Sequence, residues 1–355
     1  MAKRIVFAGI GLAVVIVFLA CGSSKETAGV HVKQISYKNL EDFQDKPFMF
    51  YNVENLFDTI NDPAKNDDEF TPQGANLWNS KRYYDKLEKL ASVLTFPSKN
   101  NPVFVGFAEV ETKAVVEDLM KTGRLKSSPY KVVHFESPDE RGIDVAFAYN
   151  SACFKVEYQE GIRYVLKGEP GFKTRNILYV KGGFKDSTIV HIFVNHWPSR
   201  RGGEEQSEYR RIAAAQLLKR KTDSILAIEK DARIFIMGDF NDYPTNRSII
   251  EVLDAGMPDG KQSFVNLMLI PHKNGIGSYN YKGYWGMLDQ FIVTPNFINT
   301  TQGLAIKGNT MFLVDDDRFM HFNDNGKFPS KTYGGHKYYG GYSDHLSVYG
   351  YFEKR

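Results

Sequence analysis

Six short apolar runs in this chain each begin or end in a carboxylate, an amide or an imidazole, and that repetition limits what the chain can fold into. Residues 48–55 run into Asn52 and Glu54, and residues 103–109 end on Glu109. Residues 189–194 lead into Asn195 and His196, and residues 234–237 lead into Gly238-Asp239-Phe240-Asn241-Asp242. Asp289 opens the run 289–293, and Tyr342-Ser343-Asp344-His345 stands just ahead of the alternating run 346–352. Runs of this length and composition read as strands. A polar group that interrupts a buried strand is costly unless it is paired. Accepting that cost at strand after strand points to one shared site where the strand ends converge.

A few helices alternate with these strands, over residues 80–94, 113–121 and 205–229. In the last of them Ala214, Leu217, Leu218, Ile225 and Ile228 mark a buried side, interrupted by Lys221, and Gln216, Lys219, Arg220 and Asp223 mark a wet one. Residues 248–253 read as a short apolar helix after the Asp239 loop. Neither an internal repeat nor a low-complexity linker divides residues 46–355, so they read as one catalytic domain.

The N-terminus reads as an address. Lys3 and Arg4 precede an apolar stretch over residues 5–20, followed by Cys21 and the small polar run Gly22-Ser23-Ser24. The h-region is short for a membrane span, which suits a signal peptide over residues 1–20. The layout is similar to a bacterial lipobox with Cys21 as the lipidated residue, although Phe18 departs from the usual leucine. An ordinary N-terminal membrane anchor is the other reading. Residues 21–45 are then a mobile tether, and the protein is an exported membrane lipoprotein, of the outer membrane by the Gly22 that follows the cysteine. Cys153, the only other cysteine, sits in an apolar stretch and is expected to pack in the core without a disulfide. Loss of Lys3 and Arg4 takes the net charge from +3 to +1. Near neutrality excludes tight duplex binding by overall charge alone.

The phrases YNVENLFD, AEVE, NHWPSRRGG, GDFND, LDQFIV and SDH, in this order, resemble those of the endonuclease/exonuclease/phosphatase superfamily, and the wording is most similar to its bacterial extracellular nuclease-like branch. The resemblance spans residues 47–352. It implies a DNase I-like, four-layer α-β-β-α sandwich of two mixed sheets, with the active site at one rim. It also implies metal-dependent cleavage of phosphate esters.

Such cleavage needs the nonbridging oxygens neutralised, a water deprotonated and an alkoxide helped away. Glu109 is the leading metal ligand, with Asn52, Glu54 and Asp344 beside it around Mg2+, or Mn2+ in its place. Asn52 matches a position shared across the superfamily, whereas Glu54 matches the branch only. His345 is the candidate general base, and Asp289 is the family-matched carboxylate that orients it. Asp239 and Asn241 would hold the attacking water, and His196 would bond a phosphate oxygen or assist the leaving group. Arg175 looks like a family phosphate contact, and Arg141 is a second candidate for clamping phosphate. Arg200, Arg201, Arg210 and Arg211 read either as a track for a polyanionic backbone or as a solvated face. The tyrosines at 333, 338, 339 and 342 read either as a stacking rim or as a self-packed loop. The role of the acidic segment 62–69 is not legible.

The leading expectation is a lipid-anchored nuclease with DNA or RNA as substrate, a membrane contact through its lipid, and no protein partner inferred. A phosphatase or phospholipase C-like enzyme acting on sphingomyelin or inositol phosphates is the alternative of the same fold. A noncatalytic surface binding lipoprotein is the alternative of another class.

Overall fold

A strand buried on both faces needs an apolar partner for each, and β1 (Pro47–Leu56) has both. Phe48 and Phe50 enter the core between two sheets, while Met49, Tyr51 and Val53 pack outward beneath helices. That period of two, in a strand with no wet face, is why the run reads as continuously apolar. The structure, a computed structural model, describes residues 36–324 and 326–355. The expected signal peptide and Cys21 lie outside the described residues.

After β1 come β2 (Phe104–Val110), β3 (Tyr130–His134), β4 (Asp144–Asn150), β5 (Lys155–Ile162), β6 (Ile177–Gly183), β7 (Ile189–His196), β8 (Arg233–Asp239), β9 (Ala255–Gly256) and β10 (Phe264–Asn266). Then follow β11 (Tyr279–Tyr281), β12 (Tyr284–Gly286), β13 (Asp289–Val293), β14 (Leu304–Ile306), β15 (Phe312–Leu313), β16 (Met320–Asn323), β17 (Gly326–Pro329), β18 (Tyr333–Gly334), β19 (Lys337–Tyr338) and β20 (Val348–Lys354). One seven-stranded sheet has the order β14-β20-β1-β2-β4-β3, with β15 also on β20, and the other the order β5-β6-β7-β8-β13-β10-β9. Aromatic side chains fill the space between them: Phe48 meets Phe352 at 4.6 Å and Phe235 at 4.9 Å between ring centroids. At Gly106 a Cβ would lie 2.7 Å from Met237 Sδ, so a larger residue there would have to displace that methionine from between the sheets.

Helices cover the outer faces. The helix α1 (Ser80–Leu94) starts at Asn79, whose side chain accepts from the Arg82 amide, and it buries Tyr83, Leu87, Leu90, Ala91 and Leu94 on one stripe. Beside it α2 (Lys113–Met120) is capped by Thr112, and α3 (Glu204–Ile228) covers the second sheet. All three fall within a residue of their sequence expectations. The expected helix at 248–253 is instead a single π-helical turn, Ser248–Val252.

Two expectations are corrected here. Ile225 is half-buried but Ile228 is 85% exposed, because the packing thins toward the end of α3. Periodicity gives the phase of a helix, and it cannot say where the layer beneath ends. The end of the expected tether is also packed: Tyr37 and Phe43 are buried, and Phe43 meets Phe184 edge-on at 5.0 Å. A single aromatic among polar neighbours carries no periodic signal, so this anchoring was invisible. Cys153 is buried and free, as expected, with its thiol pushed up to about 11 by burial.

The strand directions decide where the site can be. β1 runs parallel to β2, and β7 parallel to β8, whereas β20 is antiparallel to β1 and β13 antiparallel to β8. The C-terminal ends of β1, β2, β7 and β8 therefore share a rim with the starts of β13 and β20. This is the convergence that the polar strand ends required.

Candidate active site

The rim is built from irregular strand ends. The β1–β2 pairing shifts register between Asn52 and Leu56, and β2–β4 shifts between Ala108 and Val110. Glu54, Glu109 and Asn241 adopt left-handed backbone angles, with φ of 51°, 64° and 50°. Bulges beside active sites re-aim side chains, and non-glycine residues hold such angles only where their surroundings enforce them. Glu109 thus leaves the ladder of β2, and its Oε2 accepts the Asn55 amide at 3.1 Å.

Asp239 and Asp289 are directly opposed across β8 and β13, and both are buried. Two carboxylates so placed repel strongly unless a cation lies with them. His345 fills that role: its Nδ1 donates to Asp289 Oδ2 at 2.7 Å, and its Nε2 lies 3.9 Å from Asp239 Oδ2. Burial disfavours the imidazolium, but Asp289, then Asp239 and Asp344, outweigh it and lift His345 well above the ordinary histidine value. The Tyr279 ring lies 4.8 Å from the His345 ring, and Ser278 ties the two segments together: its Oγ accepts the Asp289 amide at 3.1 Å and its carbonyl accepts the Leu346 amide at 2.7 Å. These two residues were not foreseen. Their only signal was a place at the start of a short strand ahead of Asp289, Ser278 just before it and Tyr279 its first residue.

Asp239 is held from three further sides. Asn52 Nδ2 donates to its Oδ2 at 3.0 Å, the Asn241 amide donates to its Oδ1 at 2.9 Å, and His196 Nε2 lies 3.6 Å from Oδ2. Burial raises its carboxyl to about 6, with His345 opposing the shift and Asp289 adding to it. Burial, then Arg175 and Arg141, hold His196 well below its usual value, so this second imidazole is neutral. Gly238 is required between them, since a Cβ there would lie 2.4 Å from the Asn195 carbonyl.

The remaining carboxylates fit a divalent cation. Glu109 lies 3.9 Å from His196, and Asp344 is raised to about 7 by burial and then by Glu54 and Glu109, against the opposing effect of His345. Negative charge gathered this way is what a hard cation with oxygen ligands compensates. Glu109 and Asp344 would hold it, with Asn52 Oδ1 alongside, which otherwise accepts the Glu54 amide at 3.1 Å. The grouping of Asp239, Asp289 and His345 also has ligand-like spacing, but the short Asp289–His345 hydrogen bond already occupies it.

Three assigned residues have other work. Glu54 accepts the Thr332 and Tyr333 amides at 2.6 and 3.0 Å, so its carboxylate anchors a loop. Lys86 completes that anchor, donating to Glu54 O and Thr332 Oγ1, both at 2.6 Å. Arg175 is buried and donates to Asp139 Oδ2 at 3.1 Å and Trp197 O at 2.6 Å, which makes it a brace behind His196 in place of a phosphate clamp. Arg141 is half-exposed and turned to the same Asp139, 3.4 Å away. Sequence spacing names residues near a site, whereas the direction of a side chain depends on chain segments far away in sequence.

The arginines of α3 divide similarly. Arg211, expected on a wet or substrate-facing surface, is fully buried, with Nε donating to Asp242 Oδ1 at 2.6 Å. Ser248 Oγ donates to Asp242 Oδ2 at 2.6 Å, and Arg200 Nε donates to Asn241 O at 2.7 Å. The Asp239 loop therefore hangs on a buried ion pair. The tyrosine loop is self-packed at Tyr333, against Phe70 and Trp78, and at Tyr338, beneath the Arg82 guanidinium at 4.2 Å. Phe70 stacks on Phe57 at 4.3 Å, which pins the segment after the acidic run. Tyr339 alone turns out, and with Tyr279, Lys282 and Lys331 it lines a cleft of about 860 Å³ that reaches Asp344.

The sequence profile of the Endonuclease/Exonuclease/phosphatase family matches residues 48–354. The chain belongs to this family. Its members are metal-dependent phosphoesterases, nucleases and phosphatases among them. No curated relative matches by sequence. Among solved structures, the mannosyl-6-phosphatase Bt3783 of Bacteroides thetaiotaomicron is 13% identical, with TM-score 0.54 over 87% of this chain and 99% of that one. The human Nocturnin catalytic domain with bound sulfate is 15% identical, TM-score 0.53, over 87% and 93%. D. rerio TDP2 with a single-strand DNA product is 16% identical, TM-score 0.50, over 87% and 99%. At these identities the likeness shows the fold, the DNase I-like sandwich of two mixed sheets.

Two outcomes follow from the geometry. Asp289→Asn should lower the pH at which His345 titrates, followed by NMR in cation-free protein, because the largest stabiliser of its charged form is gone; an unchanged titration would remove Asp289 from that role. Arg211→Met should cost about 3 kcal/mol in urea unfolding by removing the buried partner of Asp242 and leaving it the more distant Arg200, 3.4 Å away, and adding Asp242→Asn should recover part of the loss.

Proposed function

We propose that this protein is an exported, lipid-anchored, divalent-cation-dependent phosphodiesterase that cleaves nucleic acid. One observation carries the hydrolytic reading: His345 is held 2.7 Å from Asp289 and faces Asp239 beside the carboxylates of Glu109 and Asp344. A Mg2+ or Mn2+ held by Glu109 and Asp344 would supply neutralisation of the phosphate and of the departing alkoxide. His345 acts as base from its neutral form. His345 Nε2 then takes the proton of a water held by Asp239, and Asp289 supports the imidazolium that results. Neutral His196 offers Nε2 to a phosphate oxygen. Asn241 spends one amide hydrogen on Trp197 O, at 3.0 Å, and keeps the other for substrate.

The substrate reading rests on the cleft beside Asp344. Tyrosine faces next to two lysines suit a single strand, whose bases stack while its phosphates pair, and the D. rerio TDP2 structure with its DNA product is consistent with it. Phosphatase action on a small ester is the second reading, favoured by the near-neutral charge of the chain and by the likeness to the mannosyl-6-phosphatase. The chain lacking residues 1–21 should cleave single-stranded DNA or RNA with Mg2+ or Mn2+ and stop with EDTA. Glu109→Ala and His345→Ala should each cost about 10²–10⁴-fold in rate while remaining folded. Hydrolysis of only sugar phosphates or sphingomyelin would move the assignment to the second reading, and no turnover of any ester would leave a binding lipoprotein. Anchoring is tested separately: palmitate labelling and membrane fractionation should both be lost in Cys21→Ser.

A further inference from the structure

We propose a second divalent-cation site, of the zinc class, formed by His134, Glu136 and Asp144 and separate from the catalytic carboxylates. The three residues bracket the loop that joins β3 to β4. His134 ends one strand and Asp144 begins the other, and one ligand atom from each of the three lies within 4.8 Å of the others. His134 Nε2 is 3.5 Å from Asp144 Oδ2. Ligand atoms about 2.0–2.2 Å from a tetrahedral zinc sit roughly 3.3–3.5 Å from one another.

An independent observation points to a ligand. The side chains of His134 and Asp144 are 4% and 1% exposed, yet His134 Nε2 and Asp144 Oδ1 both lack a hydrogen-bond partner. Buried polar atoms are rarely left so, and two on facing side chains call for one shared partner. Asp144 Oδ2 accepts the Ser137 amide at 3.3 Å, which orients the carboxylate and leaves Oδ1 over. No lysine or arginine among the described residues forms a salt bridge with Asp144 or Glu136. Lys65 gives its ammonium to the Ser137 and Asp139 carbonyls, at 3.0 and 3.2 Å. Glu136 is 60% exposed and leaves the site open to solvent on its side. An imidazole nitrogen with two carboxylates suits zinc and disfavours calcium or magnesium, which take oxygen.

The site has a consequence for the rim. The loop it closes carries Asp139, the partner of the Arg175 brace that also holds Trp197 O behind His196. A cation joining His134 to Asp144 fixes both ends of that loop, so it positions the brace without touching substrate. This inference does not depend on which ester is cleaved.

Zinc alone is the probe, in protein lacking residues 1–21, stripped with chelator and dialysed against Zn2+. The Glu109→Ala background removes uptake at the catalytic carboxylates. One equivalent of zinc by mass spectrometry is expected there, with visible bands on Co2+ substitution, and both should be lost when His134→Gln is added. Absence of zinc from Glu109→Ala, or equal zinc with and without His134→Gln, would overturn the proposal. Should circular dichroism show the double variant unfolded, the exposed Glu136→Gln serves instead. It should raise the zinc Kd by at least about tenfold, and an unchanged Kd overturns the site.

Discussion

Asp239 and Asp289 face each other across two buried antiparallel strands, and the rest of the rim is arranged around that repulsion. An isolated pair of buried carboxylates would protonate or unfold the strands. Here His345 lies between them as the compensating cation, short-bonded to one and aligned toward the other. It comes from the segment just ahead of β20, the last strand, in the opposite sheet. The two sheets are therefore joined at the rim by charge as well as by their aromatic core, and the site forms only when both are in register.

The protein supports this arrangement with polar contacts that are themselves buried. Arg211 and Ser248 hold Asp242, Arg200 holds the Asn241 carbonyl, and Gln290 Nε2 donates to the Asp242 carbonyl at 2.7 Å. On the other side Glu54 and Lys86 hold the loop at Thr332, and Arg175 ties Asp139 to the Trp197 turn. Each of these is expensive to bury alone and stable in its network. Together they keep Glu109, Asn241 and Glu54 in left-handed backbone angles that a freer chain would relax. Rigidity at the rim and strain at the site are thus two sides of one construction.

The cleft proposed for substrate is built from different material. The cleft beside Asp344 is lined from β11, from the β16–β17 hairpin and from the loop at Tyr339, none of which belongs to either large sheet. Chemistry is carried by the sandwich and contact by its appendages. Solved structures of 13–16% identity share the sandwich, and on a shared fold it is the loops that vary.

By itself the sequence determined the elements and the residue types of the chemistry. Apolar runs with polar ends marked six strands of the two sheets, the helical runs marked α1 to α3 within a residue, and the polar ends named Glu109, His196, Asp239, Asp289 and His345, which the fold brings together. Only the tertiary structure decided which way side chains turn and what they meet. Glu54 faces a loop 278 residues away in sequence, Arg175 faces Asp139, and Arg211 is buried under its own helix. Periodicity records how a segment relates to its own neighbours. The partners of a buried charge are set by the crossing of distant strands, and no local pattern encodes them.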